Sequence, residues 1–131
     1  MKRRDLFMSF IEEWQDKESV WGVSDCSAWP ALWVEVATGQ KVPLPAYETR
    51  GEAARLIAKA GGLVALWRAA LAETRAYEID IEDVSCGDVG ILDMSDCQRG
   101  IIFANHQFGY VKAETGIAVA PAMRVAAVWR I

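Results

Sequence analysis

Residues 87–103, GDVGILDMSDCQRGIIF, contain two short apolar runs, 89–92 and 100–103, each bounded by polar or glycine residues. Such runs are typical of β-strands. Residues 105–107 and 114–116 are typical of hairpin connections. Further β-branched or apolar runs occupy residues 108–111, 117–119 and 125–129. The second half of the chain is therefore expected to form an antiparallel meander.

The first half of the chain has helical periodicity instead. Residues 4–16 place large apolar side chains at helical spacing, with acidic and amide side chains on the opposite side. Two shorter helices are predicted at residues 50–60, ending at a Gly-Gly pair, and at residues 63–73. Helices followed by strands predict an α+β fold, in which N-terminal helices pack on a C-terminal antiparallel sheet.

One further helix is predicted at residues 26–37, ending at Gly39. Ser24 and Asp25 stand just before it, and either side chain is a suitable N-cap. Pro30 removes an amide within this segment, so we expect a bent or tight first turn.

The composition sets bounds on the class of protein. The chain has 131 residues, 53% hydrophobic and 24% charged, which favours a single globular domain over residues 1–131. The formal charge of −4 argues against a nucleic-acid partner, and the lack of a long apolar run argues against a membrane span.

The apolar N-terminal run stops at Glu12 without a cleavage site, so we expect a protein made and kept in the cytoplasm. Three cysteines fit a reduced compartment, and no pattern suggests a cofactor.

Cys26 is the best candidate nucleophile in the chain. A thiol in the first turn of a helix faces unpaired backbone amides and the positive end of the helix dipole, both of which stabilise the thiolate. The alternative is structural: a cysteine beside tryptophans is more often a small core residue.

Three short motifs carry a family resemblance. They are DCS at residues 25–27, GDVGIL at 87–92 and GI at 100–101. Their order and spacing resemble the NlpC-type, papain-like cell-wall cysteine peptidases. In that family a helix-opening Asp-Cys-Ser carries the nucleophile, and a histidine two residues before a Gly-Ile step is the base.

A closer pattern resembles a branch found among tail genes of proteobacterial phages and prophages. It adds a tryptophan at position 29 and covers the chain from about residue 20 to its end. The motifs of this branch are DCSAW at 25–29, RG at 50–51, AGGL at 60–63 and AVWR at 127–130.

The resemblance implies roles for individual residues. Cys26 falls on the nucleophile, and Gln98 falls on the base. Glutamine cannot accept a proton from a thiol at neutral pH, so the family's base is missing. The third position of the family, a polar residue on the next strand, falls near Tyr110 or Lys112.

His106 is the only histidine in the chain and the only alternative base. It lies eight residues after Gln98, roughly 26 Å along an extended strand. We therefore expect it in a surface hairpin, too far from Cys26 to form a dyad.

The other residues that could carry chemistry give weaker hypotheses. A zinc site of Cys86, Cys97 and His106 has none of the usual ligand spacings, so no metal is expected. Asp88 is expected to stabilise a turn, and the acidic residues between 78 and 83 to form a solvated edge. The tryptophans are expected in the core, with Trp21 as a candidate for the wall of the cleft or for an exposed docking surface. 

Two functions follow from the resemblance. The first is a catalytically degenerate structural component of a phage tail tip or baseplate, assembled into the virion tail against hub, tail-tip or fibre-attachment proteins. The alternative is an active cysteine peptidase or amidase that cleaves peptidoglycan stem peptides during genome entry, in which Cys26 attacks a carbonyl group.

Overall fold

The computed structural model describes residues 2–95 and 97–131 and has an α+β architecture. Met1 and Asp96, which belong to the predicted domain, lie outside the described residues. The helices are α1 (Arg3–Glu13), α2 (Trp29–Thr38), α3 (Arg50–Ala60) and α4 (Leu63–Leu71). The strands are β1 (Tyr77–Ile79), β2 (Val89–Asp93), β3 (Gln98–Phe103), β4 (Phe108–Lys112), β5 (Ile117–Pro121) and β6 (Val125–Arg130), and a short 3₁₀ helix (Ile81–Asp83) follows β1. The predicted class and most of the predicted elements are confirmed.

The sheet has the strand order β1-β6-β2-β3-β4-β5, with every neighbouring pair antiparallel. Strands β2 to β5 form the predicted meander. The prediction is wrong for β6, which returns to pair with the free side of β2 and places Trp129 beside Val89. In this position β6 lies between β1 and β2, and Val128 and Trp129 are buried. Strand β1 was not predicted, because Tyr77–Ile79 is short and mostly exposed. Its pairing with β6 stabilises this strand.

The core lies between the helices and one face of the sheet. Its tryptophans make hydrogen bonds that no periodicity indicates: the Trp33 Nε1 donates to the Gly87 carbonyl at 2.7 Å, and the Trp67 Nε1 to the Ser27 carbonyl at 2.9 Å. The fully or nearly buried aromatic residues of this core are Phe7, Phe10, Trp29, Trp33, Trp67 and Trp129. The core position predicted for most tryptophans is confirmed. A second apolar cluster covers the other face of the sheet.

Three predicted helix boundaries need correction. Helix α1 ends at Glu13 and α4 at Leu71, two or three residues early. Helix α2 begins at Trp29, three residues later than predicted, and neither Ser24 nor Asp25 caps it. The amides of Ala28 and Trp29 instead bind the backbone carbonyl of Asp25, so residues 25–28 form a turn.

Helix α2 otherwise begins and ends as its residues require. Pro30 lies in the first helical turn, where its missing amide needs no partner, so the helix needs no bend. Gly39 ends the helix with a left-handed φ of 74°, as the sequence predicts. Within the described residues, no helix is long and apolar enough to span a bilayer.

Candidate functional site

A cleft of about 580 Å³ opens between the loop that precedes α2, the helix α3 and the start of β3. Its wall combines polar groups with an apolar floor near Ile57 and Leu63. The polar and aromatic side chains that matter for its chemistry are Trp21, Cys26, Arg50, Gln98, Arg99 and Lys112. The two residues that the sequence assigns to the nucleophile and base positions therefore share one cleft.

A close approach between the start of α2 and β3 places Cys26 and Gln98 along the same cleft. The Gly100 amide donates a hydrogen bond to the Cys26 carbonyl at 2.9 Å. A Cβ atom at Gly100 would lie 2.7 Å from Pro30 Cγ, so only glycine allows the contact. Gln98 stands two residues earlier in the same strand and therefore on the same, helix-facing side of the sheet.

The loop that carries Cys26 is held by the buried carboxylate of Asp25. The Tyr47 hydroxyl donates to both Asp25 oxygens, at 2.9 and 3.0 Å, and the amides of Gly22 and Ser27 donate at 3.0 and 3.2 Å. Burial and the Asp25 charge raise the pKa of Tyr47, so its hydroxyl remains a donor. Gly22 has a φ of 80°, and a Cβ there would lie 1.9 Å from the Tyr47 carbonyl oxygen.

Sequence reasoning missed Tyr47, which lies in the proline-punctuated connector between α2 and α3. The only signal was indirect, because a carboxylate that enters a core requires donors from elsewhere in the chain. Nothing local identifies a residue 22 positions away as that donor.

The surroundings of Cys26 disfavour its thiolate. Burial raises the pKa of the Cys26 thiol above its ordinary value, and the Asp25 charge adds to that effect, while Arg99 and the Ser27 hydroxyl oppose it. The predicted activation by a helix end is wrong, because Cys26 lies in the turn before α2 rather than in its first turn. Cys97 lines the same cleft, and its negative form would raise the Cys26 pKa further.

No imidazole lies among the residues that line this cleft. The amide of Gln98 donates to Asp93 Oδ1 at 3.4 Å across the β2–β3 pair, and it offers no basic nitrogen. His106, the only histidine of the chain, is exposed in the connection between β3 and β4, beyond the far end of β3. The structure therefore brings Gln98 to Cys26 and leaves His106 away from it.

Tyr110 and Lys112 are the two candidates for the third catalytic position of the resembled family, and both side chains are engaged in other contacts. The Tyr110 ring packs against Phe7 of α1 and against Phe108. Lys112 reaches the cleft wall, but its buried ammonium donates to the carbonyl oxygens of Lys17, Ala113 and Gly116. Burial lowers the pKa of Lys112.

The remaining candidates have separate places in the fold. Cys86 lines a different groove, beside Arg3 and Phe108, so Cys86, Cys97 and His106 do not meet. Over residues 2–95 and 97–131, no group of three potential metal ligands is present. Asp88 accepts a hydrogen bond from the Ser85 amide at 2.8 Å, which confirms its predicted role in a turn.

Comparison with known families gives one finding. Residues 2–131 match the family described as a domain of unknown function, DUF6950. The chain belongs to this family. No curated protein matches the chain closely enough to count as a relative.

The alkylation of Cys26 provides a direct test of this site. We expect its rate with iodoacetamide to reach half its maximum at a pH above the ordinary cysteine value of about 8.5, because burial and Asp25 raise the pKa of the thiol. At pH 7 the reaction should be slower than that of an unstructured cysteine peptide in the same solution. Site-resolved peptide mass spectrometry measures the rate, with Cys26→Ser as the control. A midpoint well below the ordinary value contradicts the prediction.

Proposed function

We propose that the chain is a papain-like, NlpC-type domain that has lost its catalytic base and serves as a structural component of a phage tail tip or baseplate. The observation that carries the proposal is the pairing of Cys26 with Gln98 in one cleft, at the positions of the nucleophile and base of the resembled family. Helices packed on an antiparallel sheet are compatible with that fold.

The chemistry of the cleft supports a loss of catalysis. A cysteine peptidase needs a thiolate and a group that exchanges protons with it. Here the pKa of the thiol is raised, and Gln98, at the position of the family's base in the same cleft, is an amide. Removing a general base costs about 10²–10⁴ in rate, so the cleft of the isolated chain is suited to binding rather than to peptide cleavage.

The surface beside the cleft supports a role in assembly. Three apolar side chains of the loop before α2 are exposed together: Val20 at 54%, Trp21 at 39% and Val23 at 52%. Exposed apolar groups next to a cleft are typical of a surface that packs against another protein. The proposed partners are other tail proteins, namely hub, tail-tip or fibre-attachment proteins, which the chain joins after synthesis in the bacterial cytoplasm.

The alternative function is a peptidase or amidase that acts on peptidoglycan stem peptides with a histidine supplied by a neighbouring subunit. It is favoured by one observation: Cys26 is only half-buried and lines an open cleft.

The experiment compares variants in the phage or prophage that encodes the chain. Deletion of its gene should prevent the formation of infective particles, whereas Cys26→Ser should leave particle assembly and infectivity unchanged. A Val20→Asp, Val23→Asp double variant should reduce incorporation of the chain into tails, because it charges the exposed loop without altering the cleft. Particles that assemble normally with Cys26→Ser but fail to infect would favour the peptidase and overturn the proposal.

A further inference from the structure

The two edges of the sheet differ in how they are protected. Strand β1 has three residues, and its central residue Glu78 is exposed and forms an ion pair with Arg68. A short strand with a charge at its centre is a poor template for another strand. Strand β5, at the opposite edge, has the sequence IAVAP, with five uncharged residues.

The outer side of β5 carries no paired strand in the described part of the chain. Residues 17–19 cover the chain just before it, where Glu18 bridges Thr115 and the Gly116 amide donates to the Lys17 carbonyl at 2.9 Å. From Ile117 onward, no strand of the described chain pairs with this side. Val119, at the centre of β5, is 65% exposed.

The hydrogen bonds at the two ends of the β4–β5 pair show which backbone groups of β5 point outward. The Ala113 amide donates to the Gly116 carbonyl, and the Ala122 amide donates to the Gln107 carbonyl. In an antiparallel pair, hydrogen-bonded positions alternate with positions whose backbone groups point away. Within β5 the backbone groups of Ala118 and Ala120 therefore face β4, and Ile117, Val119 and Pro121 present their backbone groups to the outside.

The position of Pro121 fits this assignment. Proline has no amide hydrogen, and within sheets it is confined to edges, where the missing donor leaves no neighbour unpaired. The outward side of β5 thus offers the amides and carbonyl groups of Ile117 and Val119, and the Pro121 carbonyl, which already accepts the Met123 amide at 2.8 Å and keeps its second lone pair.

We propose that β5 pairs antiparallel with β5 of a second copy of this chain, so that the two sheets become continuous across a twofold axis at Val119. In this register the two Val119 residues exchange both of their backbone hydrogen bonds. Each Ile117 amide donates to the Pro121 carbonyl of the other copy, as the second hydrogen bond of that oxygen beside the one from Met123. The register uses every outward amide of β5.

The side chains of β5 are self-complementary in the same register. Val119 stands beside Val119 of the second copy, Ala118 opposite Ala120, and Ile117 opposite Pro121. No charge meets a like charge, whereas two copies of β1 would bring negatively charged Glu78 residues together. This difference selects β5 as the edge that pairs with a copy of itself.

The test is the oligomeric state of the purified full chain, measured by sedimentation velocity over a dilution series from millimolar to micromolar. The dimer fraction of the wild-type protein should rise with concentration. Val119→Lys should raise the dimer Kd by about tenfold or more, because two ammonium groups would face each other across the axis. Hydrogen exchange should slow at the amides of Ile117 and Val119 in the dimer.

The control is Val36→Lys, which adds the same charge at an exposed apolar position on α2. It should leave the dimer Kd unchanged, and circular dichroism should show that both variants fold. A wild-type chain that stays monomeric at millimolar concentration overturns the proposal. So does a Val119→Lys dimer as stable as the wild-type dimer, since another surface would then hold the copies together.

Discussion

Replacing Lys112 with methionine is expected to lower the free energy of unfolding by about 3 kcal/mol. The buried Lys112 ammonium donates to the carbonyl oxygens of Lys17, Ala113 and Gly116 at 2.7, 2.8 and 2.8 Å. Methionine has a similar length but no donor, so the Ala113 carbonyl loses its donor, and the carbonyl groups of Lys17 and Gly116 keep only the backbone amides of Gly116 and Ala113. These contacts also join the segment after α1 to the β4–β5 turn, which positions one wall of the cleft.

Urea unfolding followed by tryptophan fluorescence measures this effect as a lower midpoint at an unchanged slope. The matched control is Lys59→Met near the end of α3, where the lysine is exposed. That variant should change the free energy of unfolding by less than about 0.5 kcal/mol. Equal effects of the two substitutions would show that Lys112 contributes nothing beyond an ordinary surface lysine.

Replacing Gln98 with histidine is expected to raise the alkylation rate of Cys26 at pH 7 by about tenfold or more. Position 98 lies on the helix-facing side of β3, two residues from the glycine whose amide binds the Cys26 carbonyl. An imidazolium there stabilises the thiolate and lowers the pKa of the thiol. Asp93, which accepts a hydrogen bond from Gln98, is placed to hold the new imidazole.

The pH dependence of the Cys26 alkylation rate shows whether the new imidazole causes the faster reaction. In the wild type, alkylation should rise only as the pH approaches the raised pKa of Cys26. In Gln98→His, the rate should rise at lower pH, where the imidazole is still protonated, because the imidazolium and not the neutral ring stabilises the thiolate. Gln107→His, an exposed position in the β3–β4 connection, is the matched control and should leave the profile of Cys26 unchanged. An unchanged profile in Gln98→His would mean that position 98 is not the base position of this cleft.

The secondary structure was largely predictable because its signals are local. Helix α3 begins and ends where the Gly-Gly pair and the helical periodicity predict. Strands β2 to β5 follow the apolar runs, with differences of one or two residues at their ends. The start of α2 was not predictable in this way, because the Asp25 carboxylate binds Tyr47 and loop amides instead of capping the helix.

Cys26 was a candidate from its local sequence, whereas Gln98 was assigned to the site only through the resemblance. No periodicity relates Cys26 to Gln98, which are separated by 72 positions along the chain; the resemblance assigned both, and the structure places them in one cleft. The sequence offered two interpretations of Cys26, a thiolate stabilised by a helix end and a core cysteine. Burial and the Asp25 charge, which raise the pKa of the thiol, favour the second.

The sequence by itself determined the α+β class, the order of helices and strands, and the absence of a histidine at position 98. Each of these depends on residue identity or on neighbours within a few positions. Only the tertiary structure decided the place of β6 beside β2, the burial of Lys112 and the state of the Cys26 thiol. These properties depend on groups that are distant in sequence and close in space, since hydrogen bonds, burial and charge interactions act through space rather than along the chain.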